Sequence, residues 1–290
     1  MGSTMPSPLT LTTEVNSVLA GKDLAGVVCL DLPKPVVARF LNLKFVRNEE
    51  YTTVGGTRNK ESIVVASSLL HHWPDDYVPQ GIRDYQFLMQ LPRGIPGDFL
   101  LENDQIKVRV YHTLVAELNS GSTAETSKQI EVVSENLFEA KELRASKSFN
   151  KSRLLCFGKS TASVTFTTLN AVSLDSGITV KLEADLTHSL QSLRNIELRL
   201  IRRIEVVASR AFEETVCSCS LDKVTKGRNY SDTEGFTLKL GVEAFSQQCT
   251  SLARNVKLKY RLEASFEALN QTRVMRLGQV GVYAIAIGSV

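Results

Sequence analysis

Apolar and polar residues alternate along most of this 290-residue chain. Over residues 106–111, Ile106, Val108 and Val110 alternate with Lys107, Arg109 and Tyr111. Over residues 256–262, Val256, Leu258, Tyr260 and Leu262 alternate with Lys257, Lys259 and Arg261. A period of two belongs to a strand with one buried and one solvated face, as in antiparallel sheets packed face to face. Turn residues punctuate the runs at Gly21-Lys22-Asp23, Leu32-Pro33-Lys34-Pro35, Val54-Gly55-Gly56, Pro92-Arg93-Gly94-Ile95-Pro96-Gly97 and Asp175-Ser176-Gly177. Short strands at regular spacing, without helical patterns between them, predict β-sandwiches. The phase of the alternation places Val27, Cys29, Leu43, Phe45, Val108 and Val110 in the core of the first half. It places Leu182, Leu198, Leu200, Leu258 and Tyr260 in the core of the second. Two stretches depart from the pattern. Residues 119–128 are polar and read as a mobile loop, and residues 138–146 read as a short helix or a linker.

The alternation is written twice. LNLKFVRNEEY begins at Leu41 and IELRLIRRIEV at Ile196, 155 positions apart, with bases at Lys44 and Arg199 and again at Arg47 and Arg202. LTLTT at Leu9 and VTFTT at Val164 share that offset, as do Leu19 with Leu174 and Val27 with Leu182. IKVRVYHTLVAEL at Ile106 matches VKLKYRLEASFEA at Val256 with the offset at 150. The repeat predicts a duplicated domain. The first copy spans residues 1–140 and the second 153–290, with a linker over 141–152. Each copy is long enough to enclose its own core.

Composition narrows the class. Hydrophobic residues make up 43% of the chain and charged residues 22%, the balance of a soluble globular protein. A net charge of +3 does not support bulk nucleic-acid binding, and no apolar run reaches membrane-spanning length. The start, MGSTMPSPLT, lacks the regions of a secretory signal, and MGST fits an expression scar ahead of Met5. Five scattered cysteines, Cys29, Cys156, Cys217, Cys219 and Cys249, read as reduced thiols in the cytosol.

Chemical constellations are sparse. HHWPDDY at residues 71–77 holds two His and two Asp, but adjacent side chains on a strand point to opposite faces. It reads as a polar loop anchored by Trp73 and Pro74. Cys217 and Cys219 share a strand face without two further ligands nearby and read as half-buried strand cysteines. No nucleophile motif and no phosphate-cradling Gly loop occurs, so no catalytic, cofactor or metal residues are assigned and the chain is read as a non-enzyme. The most suggestive feature is the set of bases on the polar phase of the strands: Lys107 and Arg109, and Lys257, Lys259 and Arg261. They either keep a solvated face soluble or form an anion-reading surface for phosphorylated or acidic tails, or for anionic lipid headgroups.

These stretches resemble the arrestin superfamily. Residues 9–50 are similar to its amino-terminal pattern, including Gly26-Val27-Val28-Cys29-Leu30. The most specific piece is VPQGIRDYQFLMQLPRGIPGDF at residues 78–99, with Gly81, Phe87, Leu91-Pro92, Ile95-Pro96 and Phe99 in the family register. Residues 152–208 resemble the start of the carboxy-terminal arrestin domain. The likeness is closer to the alpha-arrestin, arrestin-domain-containing branch than to visual arrestins. Asp98 stands where a Ser is usual, no Pro-Pro-x-Tyr occurs, and the chain ends at Val290 without a tail. No residue matches the buried salt-bridged polar core of visual arrestins. The resemblance implies two tandem arrestin-like β-sandwiches. It implies a cytoplasmic adaptor, peripheral on endosomal or plasma membrane, that holds cytoplasmic tails of membrane proteins in trafficking, endocytosis or signalling. In the family an edge strand accepts the tail; the corresponding edge is residues 9–13, with Lys22 and Lys34 in the adjacent turns. A structural subunit of a trafficking coat, like the arrestin-like subunit of retromer, is the alternative.

Overall fold

The computed structural model describes residues 7–53, 55–56, 58–102, 104–120, 124–134, 140–152, 159–173, 177–189, 191–207, 211–231, 236–240, 251–268 and 271–283. These residues form strands and turns, with no helix among them. The chain divides into two units, residues 1–135 and 136–290.

The first unit holds β1 (Leu9–Thr13), β2 (Ser17–Leu19), β3 (Asp23–Leu32), β4 (Val36–Thr53), β5 (Arg58–His72), β6 (Tyr77–Val78), β7 (Gly81–Gln90), β8 (Phe99–Glu102), β9 (Ile106–Ser120) and β10 (Ala124–Val133). One sheet has the order β1-β3-β7 and the other β2-β10-β9-β4-β5, with β6 on β4 and β8 on β9. Pairing is antiparallel apart from β2, which runs parallel to β10. Leu24, Val28, Leu30 and Phe87 from the first sheet pack in one buried cluster with Leu41, Leu43, Phe45 and Leu114 from the second. Two sheets closed over a shared apolar layer make a sandwich.

The second unit holds β11 (Glu142–Ser152), β12 (Lys159–Leu169), β13 (Ala171–Ser173), β14 (Ile178–Asp185), β15 (Leu193–Val206), β16 (Phe212–Val224), β17 (Asn229–Tyr230), β18 (Phe236–Leu240), β19 (Ser251–Leu252), β20 (Val256–Ala268) and β21 (Gln271–Tyr283). Its sheets run β11-β12-β14-β17, with β18 on β14, and β13-β21-β20-β15-β16, with β19 on β20. Phe266 of β20 meets Phe149 of β11 edge-on at 5.6 Å and Phe166 of β12 at 6.1 Å, so the two layers share an aromatic core.

The strand orders correspond. β12-β14-β18 repeats β1-β3-β7, and β13-β21-β20-β15-β16 repeats β2-β10-β9-β4-β5, down to the parallel β13–β21 pair. The pairing register refines the repeat. Phe45 faces Leu114 and Leu200 faces Leu262, so the later strands correspond at an offset of 148 rather than 150. A slip of two leaves every side chain on its expected face.

Three expectations need correction. Residues 141–152, expected as a linker, carry β11, and every residue from Glu142 to Ser152 pairs with β12. Leu143, Ala145 and Phe149 recur at a period of two, and Gly278 makes room for Leu143: a Cβ there would lie 3.0 Å from a Leu143 methyl. Phe138, in the predicted helix, lies outside the described residues. Residues 119–128 are mostly strand, since Ala124–Lys128 pair with Leu118–Leu114 to extend the β9–β10 hairpin. Val27 and Cys29 face outward. Leu24, Val28 and Leu30 point into the core instead, each fully buried. Both phases of β3 are apolar in its middle, and Asp23 and Asp31 at its ends mark the wet phase. Gly26 lies on the buried phase, where a Cβ would sit 2.2 Å from Thr12 O and 2.6 Å from the Phe87 ring.

Leu43, Phe45, Val108, Val110, Leu182, Leu198, Leu200, Leu258 and Tyr260 are buried. Phe45→Ala is expected to cost on the order of 3–5 kcal/mol, whereas Cys29→Ala should stay within about 0.5–1 kcal/mol. Urea unfolding of both variants checks this, and equal losses would return β3 to the opposite phase.

Candidate functional site

The edge of β1 is set by its hydrogen bonds. Glu14 N–H donates to Ala25 O at 3.2 Å and Asp31 N–H to Pro8 O at 2.8 Å, in the same register as Leu9↔Leu30. In an antiparallel pair such residues alternate with residues whose backbone groups point away. Thr10 and Thr12 therefore bond to β3, and the amides of Leu11 and Thr13 face outward. No described strand pairs with that side. In the second unit the corresponding strand is β12, and there the same edge is covered by β11. One of the two corresponding edges is filled, and the other is unpaired among the described residues.

The bases assigned from sequence lie in several places. Lys22 and Lys34 are exposed, but they flank opposite ends of β3, roughly 30 Å apart at the rise of a strand. Lys128 stands closer to the open edge, donating to Thr13 Oγ1 at 2.7 Å. Lys107 pairs with Glu102 at 2.8 Å. Arg109 donates to Gln129 at 3.0 Å and lies 4.2 Å over the Tyr111 ring. Tyr111 O–H donates to Glu50 at 2.8 Å, and this bond, with Lys60 beside it, holds the Glu50 carboxyl below its usual range. Lys257 is exposed on β20.

Lys259 and Arg261 sit in a lattice of carboxylates. Lys259 Nζ donates to Glu205 at 2.7 Å, and Arg203 Nε reaches the same carboxylate at 2.9 Å. Arg261 donates to Glu213 at 2.8 Å and to Glu263 at 2.8 Å, and Arg276 approaches Glu263 at 3.4 Å. The hydrogen bond from Arg261 lowers the pKa of Glu213, that from Lys259 lowers the pKa of Glu205, and the Arg261 pKa is raised by Glu213. Four of these bases line an open hollow of about 410 Å³ on the outer face of β15, β20 and β21. Each already holds a carboxylate, so an incoming anion has to displace one.

A polar cluster inside the first unit has no counterpart in the sequence reading. His112 on β9 is fully buried, and its Nδ1 lies 2.6 Å from Asp98 Oδ1. A carboxylate only accepts, so Nδ1 carries the proton. The same Asp98 oxygen accepts from Val132 N–H at 3.2 Å, and Asp98 N–H donates to Val132 O at 2.8 Å. Gly97 N–H donates to Ser134 Oγ at 2.6 Å. These bonds fasten the turn of residues 91–98 to β10. The His112 ring stacks on Phe45 at 5.4 Å. Arg47, opposite His112 on β4, is only 13% exposed and ion-pairs with buried Glu49 at 2.7 Å. Arg202 is also 13% exposed and pairs with Glu214 at 2.6 Å. The base repeated at Arg47 and Arg202 thus points inward in both copies. The sequence signal for this clamp is His112 on the buried phase of β9, which needs an acceptor, with Asp98 the acid 14 residues before it.

The remaining constellations are dispersed. His71 packs in an aromatic group with Trp73 at 4.5 Å and Tyr85 at 5.4 Å, while His72 stacks on Phe40 at 5.1 Å. Burial pushes the Cys217 thiol up to about 11 and raises that of Cys219 as well, which disfavours the thiolate form. Cys156 and Cys249 lie outside the described residues. Among the described residues no group of three or more His, Cys, Asp or Glu is placed to hold a metal ion. Among them, too, no helix is long and apolar enough to cross a membrane. Comparison with known proteins finds no matching family model and no similar curated protein.

Asp98→Ala is expected to lower stability by roughly 3–5 kcal/mol, because it strips a buried imidazole and a strand amide of their acceptor. Restoring most of that loss in Asp98→Ala/His112→Leu would identify the stranded histidine as its main source, as read by chemical denaturation. The lattice has its own pH signature. Carboxyls with lowered folded pKa values contribute stability above their unfolded value, and lose it as pH falls through the folded one. The wild type should therefore be more thermostable than Glu205→Gln/Glu213→Gln at pH 7, with the gap closing as pH drops below about 4.5. A gap that persists at low pH would show that the glutamates act through packing.

Proposed function

We propose that this chain is an arrestin-like adaptor that binds cytoplasmic tails of membrane proteins by strand addition, without catalysis. The observation that carries the reading is the asymmetry between the duplicated edges. β12 is covered by an antiparallel strand along its length, while the equivalent β1 presents Leu11 and Thr13 backbone groups that no described strand satisfies. An edge that its own duplicate fills with a strand has the geometry to take one from a partner, with main-chain bonds supplying affinity. The matched strand orders and the 78–99 signature support the arrestin-like assignment. Lys128 beside Thr13 supplies a base for an acidic or phosphorylated residue in the tail.

Thr13→Pro removes an outward N–H and no bond to β3. It should reduce affinity for a phosphorylated tail peptide tenfold or more, about 1.4 kcal/mol, while the melting temperature changes little. Fluorescence anisotropy with a panel of phosphorylated tail peptides provides the readout. Unchanged affinity in Thr13→Pro would exclude the β1 edge. Failure of every tail to bind, with stoichiometric co-purification of a helical solenoid protein, would favour a trafficking-coat subunit.

A further inference from the structure

β11 fills one edge and creates another. Its register against β12 is unbroken over all eleven residues. Asn170 N–H donates to Lys141 O at 2.9 Å, in line with that register, so the odd-numbered residues exchange bonds with β12. The N–H and C=O groups of Arg144, Ser146, Ser148 and Asn150 therefore point away from the sheet. These four residues and Lys147 are exposed, and no described strand pairs with that side. A long edge with free donors and acceptors is a template for another strand.

Its charge limits what that strand is. Residues 141–152 contain four bases, Lys141, Arg144, Lys147 and Lys151, and one acid, Glu142. Lys259 and Arg261 are held by carboxylates at 2.7–2.8 Å. By contrast, Arg144 reaches Glu183 only at 4.0 Å, and Glu183 is shared with Lys181 at 3.3 Å. Lys147 Nζ lies 5.9 Å over the Phe149 ring, and Arg273 lies 5.8 Å from the same ring. A second copy of β11 would bring the same positive charge and be repelled. We propose that β11 is a strand-accepting edge for an acidic segment in extended form. The segment's backbone pairs with Arg144–Asn150, and carboxylates on its two faces meet Arg144 on one side and Lys147 on the other. This edge is separate from β1 and does not rest on the adaptor reading.

The test uses the full chain and a labelled nine-residue peptide of Glu-Glu-Val repeated three times, which carries carboxylates on both faces of an extended strand, with a control N-methylated at alternate residues. The control keeps the charge and loses the donors. Anisotropy should show binding at low salt, weakened roughly tenfold or more at high salt. Arg144→Glu/Lys147→Glu should lose about tenfold or more. Ser148→Pro, which removes an outward N–H and no bond to β12, should lose a similar factor, whereas Thr13→Pro should change nothing. Amide exchange at residues 144–150 should slow with peptide present. Equal binding of the N-methylated control, or unchanged exchange, would overturn strand addition. Full affinity in the charge-reversed variant would overturn the assignment to β11. Vesicles containing phosphatidylserine that displace the peptide through Arg144 and Lys147 would make the edge a membrane contact and overturn it as well.

Discussion

A sheet that does not close on itself must end, and its last strand carries backbone donors and acceptors with no partner in the sheet. That demand organises both units. In the long sheets the central pairs, β4 with β9 and β15 with β20, satisfy each other along most of their length. The short sheets end on strands with few neighbours. The second unit relieves one such end with β11, a strand that has no counterpart among the described residues of the first. The cost of the arrangement is a new edge, and the chain places bases there. Like charges oppose self-pairing, so the strand that protects β12 is itself protected from its own copies.

Side-chain chemistry follows the two faces of each sheet. Among the described residues most buried positions are aliphatic or aromatic, and the buried Glu49, His112 and Glu263 are paired with Arg47, Asp98 and Arg261. A lone buried charge is strongly disfavoured, so each base or imidazole arrives with an acid. The two copies solve the same position differently. At the β4–β9 crossing, Arg47 faces His112. At the β15–β20 crossing, Arg202 faces Tyr260. The histidine brings the need for Asp98, and Asp98 then fastens the turn that precedes β8.

Much of this was legible in the sequence, for a physical reason. Period-two alternation is a local property, so Leu43, Phe45, Leu198 and Leu200 declare their faces without knowledge of their partners. The repeat was legible because both copies keep the same alternation, at an offset of 155 in the early strands and 148 in the later ones. Legibility failed where local pattern is ambiguous or where the partner is distant. Val27 and Val28 are equally apolar, and only the aspartates at the ends of β3 distinguish the phases. β11 looked like a linker because its polar phase is strongly charged and its apolar phase is broken by Lys147. The ion pairs of Lys259 and Arg261 were hidden because Glu205 and Glu213 are 54 and 48 residues away.

That last point changes how a basic strand is to be interpreted. Alternating bases on a polar face look like an anion-binding surface when strands are read one at a time. Sheet formation sets each strand beside neighbours whose polar phases carry acids, and cross-strand pairing then consumes the charge. A central strand such as β20 has two neighbours and loses most of its free charge to them. An edge strand has one neighbour, so its bases find fewer carboxylates. The relevant variable is therefore the position of a base in the sheet, more than the number of bases in a run. By that criterion Arg144 and Lys147, at the rim, are better placed to meet an external anion than Lys259 and Arg261 at the centre, although the central strand has the more regular pattern.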